Sequence, residues 1–135
     1  MGYMLKALAV AGAAALFALR VNRILAAGFG EVAVRLLIPV VEEGLKTGSA
    51  LLFGLSVPVV HIGFGLYEAG YDLLANPGVG RTRRWLAAFL AIIGHGIFGW
   101  LTWWLLRSKG SAILAVALAC TVHCLWNATV LGIKR

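Results

Sequence analysis

Acidic residues are scarce in this chain. Five occur among 135 residues, against twelve Lys and Arg: Glu31, Glu42, Glu43, Glu68 and Asp72. Charge of either sign is sparse, at 13%, while 61% of residues are hydrophobic and the mean hydropathy is +0.93. A soluble domain of this length has about a quarter of its residues charged. The shortfall excludes an ordinary water-soluble domain and points to an integral membrane protein with a single domain, 1–135. Cysteine is nearly absent. Cys120 and Cys124 stand one helical turn apart inside an apolar run, a spacing that suits two small fillers on a helix face rather than a disulfide or a zinc ribbon. Long linkers, low-complexity tracts and internal repeats are also missing. The net charge of +7 does not imply a nucleic-acid partner. Lys and Arg fall mostly between apolar runs, where they orient helices against a lipid bilayer.

What the chain does contain is a series of apolar segments. They predict an all-α polytopic membrane bundle of about five transmembrane helices: a first helix within 1–28, then a core over 30–133 with spans at 30–54, 56–75, 85–106 and 111–133. A cleaved signal peptide is the rival reading of the first segment. Arg20 and Arg23 stand between its apolar run and the Ala26-Ala27 pair, which favours a retained helix. Glu31 suits a first helical turn, and Arg35 can snorkel to the near interface. Pro39 is expected to kink the second span, and Pro58 to sit in the first turn of the third. Asn76-Pro77-Gly78 with Gly80 reads as a stop and turn, followed by the cluster Arg81, Arg83 and Arg84. Trp85, Trp100, Trp103 and Trp104 read as interface anchors. Arg107 to Gly110 reads as a tight turn. Arg20, Arg23, Arg81, Arg83, Arg84, Lys134 and Arg135 fall on one side, and Lys6, Arg107 and Lys109 on the other. The imbalance predicts a cytoplasmic C-terminus and an N-terminus outside.

The costly residues share a depth. Glu42 and Glu43 fall near the middle of the second span, His61 and Glu68 about the middle of the third, His95 in the fourth, and His123 in the fifth with Asn127 one turn on. Charged groups in a bilayer core cost several kcal/mol by most scales and normally face the bundle interior, paired with one another. Lys46 lies three and four residues after the acidic pair, within reach of either carboxylate. Glycines at 44, 48, 63, 65, 94, 96 and 99 occupy the same levels and allow close helix approach. Two carboxylates held together away from water compete for one negative charge, so one can cycle a proton while Lys46 holds the other as an anion. An imidazole and a carboxamide one turn apart can donate to an oxyanion growing on a peptide carbonyl.

In these residues the chain resembles the PrsW-type intramembrane proteases, relatives of the type II CAAX prenyl endopeptidases in the glutamic membrane protease group. The matching order is Glu42-Glu43-x-x-Lys46, Phe64-x-x-x-Glu68, the lone His95, and His123-x-x-x-Asn127. The resemblance implies a helical bundle with a polar cavity near mid-membrane, and peptide-bond cleavage in or near a prokaryotic cell membrane. Glu42 would activate water, with Glu43 and Lys46 in support. His95 would bind or polarise water or substrate, and His123 with Asn127 would form the oxyanion site. Phe64 and Glu68 would support or bind substrate. Glu68 stands where CAAX-type relatives carry a histidine, which favours PrsW-type cleavage. Expected partners are membrane proteins or peptides, an anti-sigma factor among them, and the bilayer itself. No cofactor is expected.

Other readings use the same residues. Glu42, Glu68, His95 and His123 form a donor set for zinc with an open water position, although a His-Glu-x-x-His pattern is absent. Buried Glu, His and Lys also build proton or ion carriers, and a protease fold can serve a non-catalytic binder of the immunity or scaffold kind. Taken singly, the Glu-Glu-Lys group reads as a structural ion cluster, His61 as a packing or rim residue, and Asp72 as interfacial.

Overall fold

The structure is a computed structural model describing residues 2–75 and 78–133. The expected turn residues Asn76 and Pro77, and the expected terminal cations Lys134 and Arg135, lie outside that range. The regular elements are all helical: α1 (Gly2–Val32), a π-helical segment (Ala33–Leu37), α2 (Ile38–Leu52), α3 (Val57–Ala75), α4 (Arg81–Lys109) and α5 (Ala112–Ile133).

Three helical stretches among the described residues are long and apolar enough to cross a membrane: 2–52, 81–109 and 112–130. Among the described residues five α-helices are present, as expected, but only three stretches reach that length and hydropathy, for two reasons. First, residues 20–30 continue the helix instead of forming a loop, so the first two expected spans merge into one run of 51 residues. Drawn straight, that run would reach about 77 Å at 1.5 Å per residue, against a hydrocarbon core of about 30 Å. Gly30 breaks it, with φ 56 and ψ −135, a conformation that a side chain would strain. The chain turns back there, and α2 returns antiparallel along α1. Asn22 meets Glu42, and Lys6 donates to the Phe53 carbonyl. Second, α3 has 19 residues and carries His61, Glu68 and Asp72, which keep it out of the most apolar class.

The other helices alternate. Parallel to α1 runs α3, with Tyr3 against Ser56 at one end and Arg23 on Tyr71 toward the other. Antiparallel to α3 runs α4, with Arg84 donating to the Leu73 carbonyl. Against α4, the π segment and α2 packs α5. The end of the bundle holding Lys6 is closed by Ala7, Ala11, Ala50, Leu55, Val57 and Val60, with Leu106 packed on them. The arginines Arg81, Arg83 and Arg84 lie in the first turn of α4 rather than before it, and Arg107 and Lys109 form its last turn. The charge of that last turn suits the helix dipole. Gly110 then ends the helix at φ 64.

Proline produces a local irregularity of a different kind from a simple kink. Pro39 sits in the first turn of α2 and offers no N–H to the carbonyl four residues back. The chain just before it widens: Ile38 N–H bonds the Ala33 carbonyl, five residues away. Side chains of α5 serve this stretch. Asn127 Nδ2 donates to the Val34 carbonyl at 2.9 Å, and the thiols of Cys124 and Cys120 point at the Leu36 and Pro39 carbonyls at 3.9 and 3.8 Å. The two cysteines, expected as fillers, also face backbone acceptors. A π turn held by a neighbouring helix is a common companion of functional sites.

Close approach occurs at some of the expected glycines and not at others. A Cβ on Gly99 would stand 2.6 Å from the His61 Cβ and 3.1 Å from the Pro58 Cα, and one on Gly65 would stand 3.1 Å from His95. Gly44 and Gly48 face open space, with nothing within 4 Å of where a methyl would stand. We therefore expect Gly99→Ala to cost about 1–3 kcal/mol through overpacking, and Gly44→Ala to cost nothing. Thermal unfolding of both variants in the same detergent checks the contrast.

Candidate functional site

One face of α2 builds the site. Glu42, Glu43, Lys46, Thr47 and Ala50 are buried, while Val40, Gly44, Gly48 and Leu51 face out. This is the 3.6-residue stripe inverted, with charge inside and apolar residues outside, as lipid-facing helices require.

Lys46 is fully buried and holds the centre. Its Nζ donates to Glu43 Oε1 at 2.6 Å and reaches His95 Nδ1 at 2.9 Å, with Glu42 Oε2 at 3.7 Å. The Phe64 ring lies 4.8 Å away and adds a cation–π contact. Because an ammonium only donates, His95 Nδ1 accepts, and the ring proton belongs on Nε2. That nitrogen donates to Glu68 Oε2 at 2.5 Å. His95 is thus clamped at both ends, and Gly65 lets it approach α3.

His123 comes from α5. Its Nδ1 donates to Glu43 Oε1 at 2.8 Å, its ring stacks on Phe98 at 4.6 Å, and its Nε2 lies 4.0 Å from Glu42 Oε2. Glu43 therefore spends one oxygen on two donors. Its other oxygen faces His61 Nδ1 at 3.7 Å, and neither atom has a hydrogen bond. His61 Nε2 contacts Thr47 Oγ1 at 3.3 Å. His61 is wholly buried within the cluster and is no rim residue.

Glu42 differs from its neighbour. Asn22 Nδ2 donates to its Oε1 at 2.8 Å, and its carboxylate lies at the wall of a cleft of about 250 Å³. The cleft is lined by Asn22, Glu42, Glu68, Asp72, His123 and Asn127, with Val34, Ile38, Leu90 and Trp126 among its apolar walls. A second cavity of about 40 Å³ shares Asn22, Glu42 and Glu68 and is completed by Phe64 and α1. Both have room for water, since one molecule needs about 10–15 Å³ by the same measure.

Of the residues expected from the sequence, Glu42, Glu68, His123 and Asn127 line the cleft. Glu43, Lys46 and His95 form the buried layer behind it, and Phe64 lies between His95 and the smaller cavity. Asp72 also joins the cleft wall. Asn22 is a site residue that the sequence reading misses. Its only signal there is a single carboxamide between Arg20 and Arg23, in a stretch that reads as lying beyond the first span.

The zinc set fits poorly. Donor atoms of Glu42, Glu68 and His95 lie within 4.8 Å of one another, and His123, with its Nδ1 on Glu43, keeps its Nε2 4.0 Å from Glu42. Metal on His95 Nε2, however, would move the ring proton to Nδ1, against an ammonium that has only donors to offer. Lys46 thereby opposes ligation at His95.

No protein-family model, curated protein or solved structure matches this chain.

Lys46→Met leaves Glu43 buried without its counter-ion, which typically costs about 3–5 kcal/mol. Replacing both partners, as in Glu43→Leu with Lys46→Met, restores part of that loss. Denaturant unfolding in micelles of the two single variants and the double variant measures the coupling.

Proposed function

We propose that this protein is an intramembrane endopeptidase of the PrsW kind, with five helical segments packed in the membrane and Glu42 as the water-activating base. The observation that carries this reading is the unequal fate of two adjacent carboxylates. Glu43 is consumed by Lys46 and His123, whereas Glu42 borders a water-sized space shared with Glu68, His123 and Asn127.

The reaction follows from that division. Water beside Glu42 gives a proton to the carboxylate as its oxygen bonds to the substrate carbonyl carbon. The carbonyl oxygen becomes an oxyanion, met by Asn127 on the α5 side of the cleft, while His123 gives its Nδ1 proton to Glu43. Asn127 has a second amide hydrogen besides the one on Val34. The C–N bond then breaks, and the proton held by Glu42 passes to the leaving nitrogen, which restores the base. Glu43, anchored to Lys46 and His123, keeps the site charged without taking part in proton transfer. Substrates are membrane-associated proteins or peptides, an anti-sigma factor among the candidates. They reach the cleft from the end that carries Arg23 and Arg84, the cytoplasmic end by charge asymmetry.

The carrier reading has less support. The hydrogen-bonded chain from Glu68 through His95, Lys46 and Glu43 to His123 runs across the bundle at one level. His61 and Thr47 extend it from Glu43, and the apolar cluster around Leu55 and Val60 then lies toward Lys6.

Three outcomes are expected from purified protein co-reconstituted with single-span membrane proteins, with products identified by mass spectrometry. Glu42→Gln abolishes cleavage while the protein stays monodisperse; unchanged turnover would rule out the assigned base. Asn127→Ala lowers kcat about tenfold to a thousandfold, the range for loss of an oxyanion donor; a change confined to KM would count against that role. Treatment with a zinc chelator leaves the native rate intact.

A further inference from the structure

The motifs behind the proposed activity all lie in the chain after Gly30, and nothing in them gives α1 a part in the chemistry. The geometry points to one: we infer that Asn22 of α1 is a positioning residue that fixes the Glu42 carboxylate for proton transfer. This rests on the reading of Glu42 as the base.

Among the described residues, Asn22 alone reaches Glu42 within hydrogen-bond distance. Its Nδ2 lies 2.8 Å from Oε1, while Lys46 and His123 stand 3.7 and 4.0 Å from Oε2. Those longer separations are Coulombic contacts rather than hydrogen bonds. A buried carboxylate with one short bond has its plane set by that bond. With Oε1 taken by Asn22, Oε2 is the oxygen turned toward His123 and Lys46.

The chemistry of the donor matters. A carboxamide carries no charge and gives up no proton at ordinary pH. It therefore orients the base without neutralising it. A lysine or arginine here would hold Glu42 as firmly as Lys46 holds Glu43 and leave two spent carboxylates. Asn22 also lines both cavities together with Glu42 and Glu68, so it stands where the wall between them is made. The back-turn at Gly30 is what brings it there: α1 and α2 must lie side by side for residue 22 to meet residue 42.

The test uses the full-length protein in detergent and in liposomes. Asn22→Leu and Asn22→Asp keep the side chain's size and remove the donor; Asn22→Gln keeps a donor. In protein labelled with ¹³C-glutamate, the infrared difference between each background and its Glu42→Gln counterpart isolates the Glu42 carboxyl bands. These bands shift in the Leu and Asp variants and return toward the native position in the Gln variant. Where cleavage is assayed, kcat falls about tenfold to a hundredfold in the Leu variant, the range for one hydrogen bond to a charged group. It falls further in the Asp variant, where two carboxylates face each other, with KM unchanged in both. Glu42 bands insensitive to all three changes overturn the inference, as does a loss that appears in KM alone. Failure of the hydrolase reading is separately visible as turnover that survives Glu42→Gln, and the infrared bands then decide the role of Asn22 by themselves.

Discussion

A buried ammonium is the fixed point of this molecule. Lys46 has no exposed surface, and an uncompensated cation at that depth would cost several kcal/mol. Its compensation comes from its own helix through Glu43, from α4 through His95, and from the rings of Phe64 and Phe98. Each partner then recruits another: His95 binds Glu68 of α3, and Glu43 binds His123 of α5. One cation thus dictates the rotation of four helices about their axes. Apolar packing in lipid gives no such instruction, because lipid tails and leucine are equally good neighbours.

The rest of the architecture makes that convergence possible. Gly99 and Gly65 let imidazoles enter between helix backbones that would otherwise stand too far apart. Proline at 39 forces a widened turn immediately before the acidic pair, and α5 repairs it with Asn127 and two thiols. The same α5 face that repairs the backbone carries His123. The cleft therefore has a wall whose position is set by hydrogen bonds to main-chain carbonyls as well as by side-chain packing. Polar residues in this bundle hold structure and offer chemistry at once, and the division between Glu43 and Glu42 separates the two duties.

Much of this is legible in the sequence. The apolar runs give the helical class, and a shared depth for Glu42, His95 and His123 points to a common interior. Helical spacing gives the Lys46–Glu43 pair, since residues three apart are neighbours on any helix. What is not legible depends on rotation and on backbone irregularity. His61, Glu68 and Asp72 are seven and four residues apart and share one stripe of α3, but the spacing does not say that the His61 end of that stripe meets α2. Arg20 and Arg23 look like an interfacial boundary, which hides the inward-facing Asn22 between them. Both arginines lie on a helix that runs on to Val32. The five helical segments are legible too, but hydropathy alone does not reveal that the first two form one helical run reversed at Gly30.

The central claim is that Glu42 faces water while the residues one turn further along the same buried stripe do not. Accessibility to a small charged thiol reagent tests it most directly, in membranes containing a variant without Cys120 and Cys124. Single cysteines introduced as Glu42→Cys and Glu68→Cys are predicted to react readily, because both positions line the cleft. The Thr47→Cys position, buried against His61, is predicted to stay unmodified. A cysteine at position 42 as inert as the one at 47 would contradict the account.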